Sequence, residues 1–277
     1  MFTQQSAPDR ILKAILNDQG LLFMAYQPKI NLSTMRIDSF EALLRWRENG
    51  GYVNPEVILN AALQAGDYIA DCLLSRITEK VISDIALVNE SMRHPVSINL
   101  NPAQLSHSYL EYLLGVAESY GVSKRLLELE VTEHHPFGEL DSFRERVEQT
   151  QEAGVNVWLD DFGHGYSSLS MLAGVGVHGV KLDSSFAKNC RSELGGSLFE
   201  SVVNMCQKLG FKVVVEGVEG KHEHQLAVDC NCDYGQGYFY GRPEVVQMDL
   251  HTWFKKEKKN LGAAESFSDL VLAEAAR

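Results

Sequence analysis

The sequence predicts an α/β fold, a modified (β/α)8 TIM-like barrel whose first strand is antiparallel. Three observations carry that expectation. About eight short β-branched runs alternate with amphipathic helical stretches through one continuous domain. The first two runs are separated by a turn alone, too short a connection for a parallel crossover, which needs a dozen or more residues. Nearly every run closes on an acid or an amide.

Taken in order, Ile11, Leu12, Ile15 and Leu16 recur at helical spacing and predict an amphipathic opening helix ending near Gly20. Leu21 to Tyr26 reads as a strand stopping at Gln27-Pro28, and a turn at Asn31-Leu32-Ser33 leads into a second strand from Ile37 to Trp46. Val57 to Leu63 and Cys72 to Leu87 read as helices, followed by a strand from Val96 to Leu100. A helix over Tyr109 to Tyr120 precedes a strand from Leu126 to Val131, and a helix over Phe143 to Ala153 precedes the run that ends on Asp160-Asp161. Beyond it come a short helix near Leu169 to Leu172, a strand from Gly179 to Leu182 and a helix over Leu198 to Leu209. A strand from Lys212 to Val215, a helix over His222 to Val228 and a last short strand running into Tyr234-Gly235-Gln236-Gly237-Tyr238 complete the alternation. Residues 1–255 form one expected domain, and residues 256–277 a charged, alanine-rich tail.

Composition narrows the function. An apolar content of 45% with 22% charged residues is ordinary for a soluble globular enzyme. A net charge of -12 argues against a nucleic-acid polymer as partner, because coating a polyanion needs a basic surface. An anionic substrate would need a locally positive site, which bound metal ions supply. The five cysteines have no framework spacing and read as reduced thiols. The N-terminus lacks the apolar core of a signal peptide, and no run approaches the roughly 18 apolar residues of a membrane span. The expectation is a cytoplasmic protein without membrane contact.

The chemistry collects at the strand ends: Glu41, Asn99, Glu130, Asp160, Lys181, Glu216 and Gln236. In a barrel these ends open on one face, so residues distant in sequence converge. The strand before Asp160-Asp161 is apolar and runs straight into two adjacent carboxylates, then into Gly163 and Gly165. Read alone, that pair is as well explained by turn amides capped by Asp side chains. Recurrence along the chain favours a shared site. Carboxylates crowded together repel and take up protons unless something positive joins them. Oxygen donors without His or Cys suit Mg²⁺ or Mn²⁺, one or two ions, rather than structural zinc. Such a pair of ions activates water and stabilises the attacking and leaving oxygens of a phosphate ester. Lys181 would then position or deprotonate that water, or offset charge on the phosphate. Arg45, four residues after Glu41, is placed to fork onto phosphate oxygens.

The remaining polar features read as bland. The pairs His134-His135 and His222 with His224 are expected on solvated surface, and Cys230 and Cys232 lack zinc-knuckle spacing. Lys255 to Lys259, interrupted by Glu257, is expected to be a solvated helix end, and Trp46, Trp158 and Trp253 packing residues. A glycoside hydrolase also pairs carboxylates on a barrel, but would not place Lys and Asn among them.

Taken together, these residues resemble the EAL-domain phosphodiesterases, which cleave the bacterial second messenger cyclic di-GMP. The resemblance runs from about Leu21 to Phe254 and rests on motifs in register. They are Tyr26-Gln27-Pro28, Glu41-Ala42-Leu43-Leu44-Arg45-Trp46, Ser97-Ile98-Asn99-Leu100, Glu130-Val131-Thr132-Glu133, Asp160-Asp161-Phe162-Gly163, Lys181-Leu182-Asp183, Glu216-Gly217-Val218-Glu219 and Gln236-Gly237-Tyr238. It implies metal-dependent hydrolysis of cyclic di-GMP to linear pGpG. Glu41, Asn99, Glu130, Asp160, Asp161 and Glu216 would be the metal ligands, with Glu41, Lys181, Glu216 and Asp161 in the catalytic centre. Gln27, Arg45, Asp183 and Gln236 would face substrate. Glu133 and Glu219 would hold the loop after Asp161, which in this family adjoins a homodimer interface. The chain departs from the family at His164, where Thr is usual, at Leu63 and at Asn101. Relatives lacking the acids serve as receptors; here every acid is present. A catalytically weak cyclic di-GMP receptor or protein-interaction module is the alternative, and a barrel acting on glycerophosphodiesters is a third.

Overall fold

A computed structural model describes residues 12–13, 15–16, 22–48, 51–133, 137–163 and 174–245. Within them the strands are β1 (Leu22–Asn31), β2 (Arg36–Glu48), β3 (Gly51–Val53), β4 (Val96–Leu100), β5 (Leu127–Thr132), β6 (Asn156–Phe162), β7 (Gly179–Leu182), β8 (Lys212–Val215) and β9 (Tyr234–Gly235). The helices are α1 (Pro55–Gln64), α2 (Asp67–Leu87), α3 (His107–Ser119), α4 (Leu140–Glu152), α5 (Ser184–Asn189), α6 (Glu193–Lys208) and α7 (Lys221–Asp229).

Strands β2, β4, β5, β6, β7, β8 and β9 pair in parallel around a barrel, and β1 closes it by pairing antiparallel with both β2 and β9. The expected barrel with one inverted strand is therefore the fold. Two differences from expectation concern the strands. First, β1 does not stop at Gln27-Pro28 but runs on to Asn31. Proline lacks the N–H that a doubly paired strand needs. Here β1 is laddered along its length to β2, and its other edge meets Glu244 at Tyr26 and β9 at Ile30 and Asn31, so Pro28 falls between these contacts and breaks no second ladder. Second, β3 folds back on the end of β2 as a short hairpin outside the barrel ring, too short for a sequence signal.

The strands alternate, and the direction of alternation matters. Leu127, Leu129 and Val131 of β5, Val96, Ile98 and Leu100 of β4, and Val157 and Leu159 of β6 join the apolar core beneath the helices. Facing them are Leu73, Ile77 and Val81 of α2, Leu113 of α3, Phe143 and Val147 of α4, and Phe199 and Val203 of α6. Burying each such side chain contributes about 1.5–3 kcal/mol, which makes this layer the principal stabilising element. The intervening residues, Ser97, Glu128, Glu130, Lys181 and Lys29, are polar and yet buried, because they point into the barrel. Gly179 belongs to this inner set: a Cβ there would collide with the Trp158 ring, which lies across the interior.

Of the opening helix, Leu12, Lys13, Ile15 and Leu16 are described and helical, with Ile15 fully buried. The expected short helix at Leu169 to Leu172, His134-His135, His164, Trp253 and the tail at 256–277 lie outside the described residues. All the cysteines are free thiols, in keeping with the sequence reading. His224 corrects it: the ring is half-buried, stacks on Phe239 and meets the Tyr240 hydroxyl at 2.9 Å. Among the described residues no helix is long and apolar enough to cross a membrane.

Candidate active site

Residues of β1, β2, β6 and β7, with those directly following β8 and β9, surround a cavity of about 390 Å³. Glu41, Asp160, Asp161, Lys181, Glu216, Glu219, Gln27 and Gln236 line it. Lys181 organises the floor. Its ammonium lies 2.7 Å from Glu216 Oε1, 2.8 Å from Glu130 Oε2, 2.9 Å from Asp160 Oδ1 and 3.3 Å from Glu41 Oε2. Glu130 is fully buried below that floor. Asn99 sits beside Glu41, donating its Nδ2 to Glu41 Oε1 at 2.7 Å, which leaves its Oδ1 as the atom to meet a cation. Gln236 Nε2 donates to Glu41 Oε2 at 2.6 Å and to Gln27 Oε1 at 3.3 Å, while Gln27 donates to the Gly241 carbonyl.

Two adjacent acids on a regular strand would point to opposite faces. Here Asp160 and Asp161 both reach the cavity, because β6 breaks register after Leu159 and Asp161 takes a left-handed backbone at φ 55°. Asp tolerates that conformation better than most residues, and the Asp161 N–H donates to Asp160 Oδ1 at 3.0 Å. Directly beyond, Glu133 Oε1 accepts the Gly163 N–H at 2.9 Å and so holds the backbone where β6 ends. Gly217, at φ 65°, lets β8 turn sharply past Ser184 and present Glu216.

The remaining expected residues are placed differently. Arg45 is outside the cavity lining; it shares the strand face of Glu41 and Leu43, and its guanidinium donates to the Leu44 carbonyl at 2.8 Å. Asp183 is also outside the lining and caps α5 by accepting the Ser185 N–H at 2.9 Å. Lys29 and Glu128 were missed. Lys29 is 1% exposed and bonds Glu128 Oε2 at 3.0 Å and Glu130 Oε1 at 2.9 Å. The period-two spacing of Gln27 with Lys29, and of Glu128 with Glu130, was the available signal.

Electrostatics separate the acids into two groups. Burial raises the pKa of Glu41, Asp160 and Glu216, and carboxylate neighbours add to it against the pull of Lys181. Asp160 moves from an ordinary 3.8 to about 6. Burial also pushes Glu130 upward, but Lys181 and Lys29 together outweigh it and hold its pKa at about 2. Lys181 is favoured as ammonium well above the ordinary lysine range: burial works against the charge, and Asp160, Glu130, Glu216 and Glu41 overcome it. In that state Lys181 carries the counter-charge to the acids around it.

Glu41, Asp160 and Glu216 are thus short of positive charge. Oxygens of Glu41, Glu130 and Asp160 lie within 4.8 Å of one another, as do those of Asp160, Asp161 and Glu216. Gln236 Oε1 is buried with no hydrogen-bond partner among the described residues. Hard oxygen donors, raised pKa values and an orphaned carbonyl fit a divalent cation. The raised acids bind more protons folded than unfolded. Stability from Asp160 is therefore present below about pH 4 and lost as pH rises through about 6. We expect a saturating divalent cation to raise Tm more at pH 8 than at pH 5, measured by calorimetry; an equal shift at both would count against these acids as ligands.

A barrel with a lysine-bridged carboxylate cavity at its C-terminal strand ends defines a class of site whose acids could hold a divalent cation. Within that class, residues 9–243 match the model of the EAL domain, and the chain belongs to the EAL domain family. It is 32% identical over 249 residues to the biofilm architecture maintenance protein MbaA of Vibrio cholerae, covering 88% of this chain and 31% of that protein. It is 31% identical over 246 residues to the cyclic di-GMP phosphodiesterase NbdA of Pseudomonas aeruginosa, covering 87% of this chain and 31% of that one. The chain thus spans about a third of the length of these relatives. Among solved structures it superposes on the PaMucR phosphodiesterase in complex with c-di-GMP, with a TM-score of 0.76 and 25% identity, covering 87% of this chain and 99% of the other.

Proposed function

We propose that this protein is a metal-dependent phosphodiesterase that opens cyclic di-GMP to linear pGpG. The observation that carries the reading is the set of acids around Lys181, complete for the family's motif and geometrically convergent. Relatives named as cyclic di-GMP phosphodiesterases support the substrate.

In this reading Glu41, Asn99, Glu130, Asp160, Asp161 and Glu216 hold one or two Mg²⁺ or Mn²⁺ ions. Those ions would supply an activated water and charge stabilisation at the phosphate. Glu41, Asp161 and Glu216 orient the reacting centre, and the Lys181 ammonium offsets charge on the phosphate oxygens as water adds and the 3′ oxygen leaves. Gln27 and Gln236 stand on the cavity wall to receive polar groups of the substrate, with Arg45 and Asp183 reached only if the dinucleotide extends past the lined cavity. Glu133, through Gly163, and Glu219 support the loop beyond β6. The domain spans residues 1–255 with 256–277 appended, and the protein works in bacterial signalling from the cytoplasm.

Hydrolysis of cyclic di-GMP with Mg²⁺ or Mn²⁺, against EDTA, tests the reading. Linear pGpG only with metal supports it; tight binding with no product under either metal makes the protein a receptor. A homodimer belongs to the same proposal. Sedimentation with substrate should show twice the monomer mass, and monomer alone would sink that part.

A further inference from the structure

Below the site floor, the barrel interior carries a second ammonium that no part of the proposed chemistry uses. Lys29 is fully enclosed, and its three N–H donors meet three acceptors: Ser97 Oγ at 3.2 Å, Glu128 Oε2 at 3.0 Å and Glu130 Oε1 at 2.9 Å. Ser97 is fixed in turn by donating to the Phe40 carbonyl at 3.3 Å. The Trp158 ring, whose centroid lies 5.3 Å from the ammonium, closes one side. Glu130 is consequently divided between two lysines, Oε1 taken by Lys29 and Oε2 by Lys181. A carboxylate held this way cannot rotate about its terminal bond without breaking a buried, charge-assisted hydrogen bond.

We propose that Lys29, with Glu128 as its charge partner, is a positioning residue that sets the cation affinity of the site by fixing which oxygen of Glu130 faces it. The charges explain why two residues serve this purpose. Lys29 alone would add a positive charge beside a cation site and oppose binding. Paired with Glu128 it adds a neutral unit, giving geometry without a net field. A purely structural ion pair is a poor explanation of the arrangement, because apolar replacements of a buried pair are commonly neutral or stabilising. The inference rests on the cation-site reading above.

The test is Mn²⁺ binding, read from loss of the free-ion paramagnetic resonance signal, with Tm followed in parallel. Lys29→Met/Glu128→Gln removes the pair without changing net charge. It should weaken Mn²⁺ binding at least about tenfold, the usual effect of deleting a partner that orients a ligand. Lys29→Gln/Glu128→Gln keeps a donor toward Glu130 and should lose less, so the loss is graded by hydrogen bonding rather than by folding. With cyclic di-GMP, the metal needed for half-maximal turnover should rise while KM for the dinucleotide stays within about twofold. A lower Tm with Mn²⁺ affinity unchanged in both variants overturns the proposal. Wild type that binds no Mn²⁺ at millimolar concentration overturns the cation site and this inference together. Wild type that binds Mn²⁺ but cleaves no cyclic di-GMP overturns only the substrate reading, and graded Mn²⁺ loss in the variants still supports the role of Lys29.

Discussion

Replacing Glu41 by Ala should abolish turnover of cyclic di-GMP, lowering kcat/KM by about a thousandfold or more, equivalent to at least about 4 kcal/mol of transition-state stabilisation. The size follows from how many neighbours converge on this side chain. Asn99 holds Oε1, while Gln236 and Lys181 hold Oε2 at 2.6 and 3.3 Å. Removing it deletes a candidate ligand, frees Asn99 and Gln236 to turn, and leaves Lys181 with one partner fewer. Glu41→Gln separates these effects. It keeps the volume and an acceptor oxygen but loses the charge, so it should fold with a Tm near wild type, bind Mn²⁺ weakly and hydrolyse the substrate almost as poorly as the alanine variant. If Glu41→Gln kept turnover within about tenfold, Glu41 would be a scaffold for Asn99 and Gln236, not part of the reacting centre.

Why Glu41 was visible in the sequence, and other members of the site were not, has a physical cause. A parallel barrel strand is apolar on the face beneath the helices, so a charged residue within such a run or at its end is conspicuous, and Glu41, Asp160, Lys181 and Glu216 were all found that way. The alternating run Leu127-Glu128-Leu129-Glu130-Val131 announces one polar face but not where it points; in an antiparallel sheet that face would be solvated. Only barrel closure buries it, which is why Glu130 was read as one strand end among several and Glu128 went unnoticed. Lys29 was hidden for a further reason. Pro28 looked like a strand terminus, whereas at that position β1 pairs with β2 alone, which lets the strand continue and carry Lys29 inward. Nor does spacing reveal that Asp160 and Asp161 act on one side: that depends on the register break in β6 and the left-handed backbone at Asp161. Asp183 shows the opposite limit. An acid after a strand is equally apt for a ligand and for a helix cap, and here its geometry is that of a cap.

Lys181→Met should be nearly as damaging to turnover as loss of Glu41, and more damaging to the metal-free fold. Met matches the lysine stem but supplies no charge, so Asp160, Glu216 and Glu41 lose the ammonium that contacts each of them. Glu130 keeps Lys29. Breaking buried ion pairs by deleting one partner typically costs about 3–5 kcal/mol. Part of that loss is relieved because acids whose pKa is already raised will take up protons instead. A divalent cation competes with the Lys181 ammonium for the same oxygens, so the Tm gained on adding Mg²⁺ should be larger in Lys181→Met than in wild type. Restored stability should not restore chemistry. With saturating metal, kcat should remain at least about a hundredfold low, because charge developing on the phosphate no longer has a fixed ammonium beside it. Recovery of both Tm and kcat on adding metal would show that Lys181 only holds the acids together until the cation arrives.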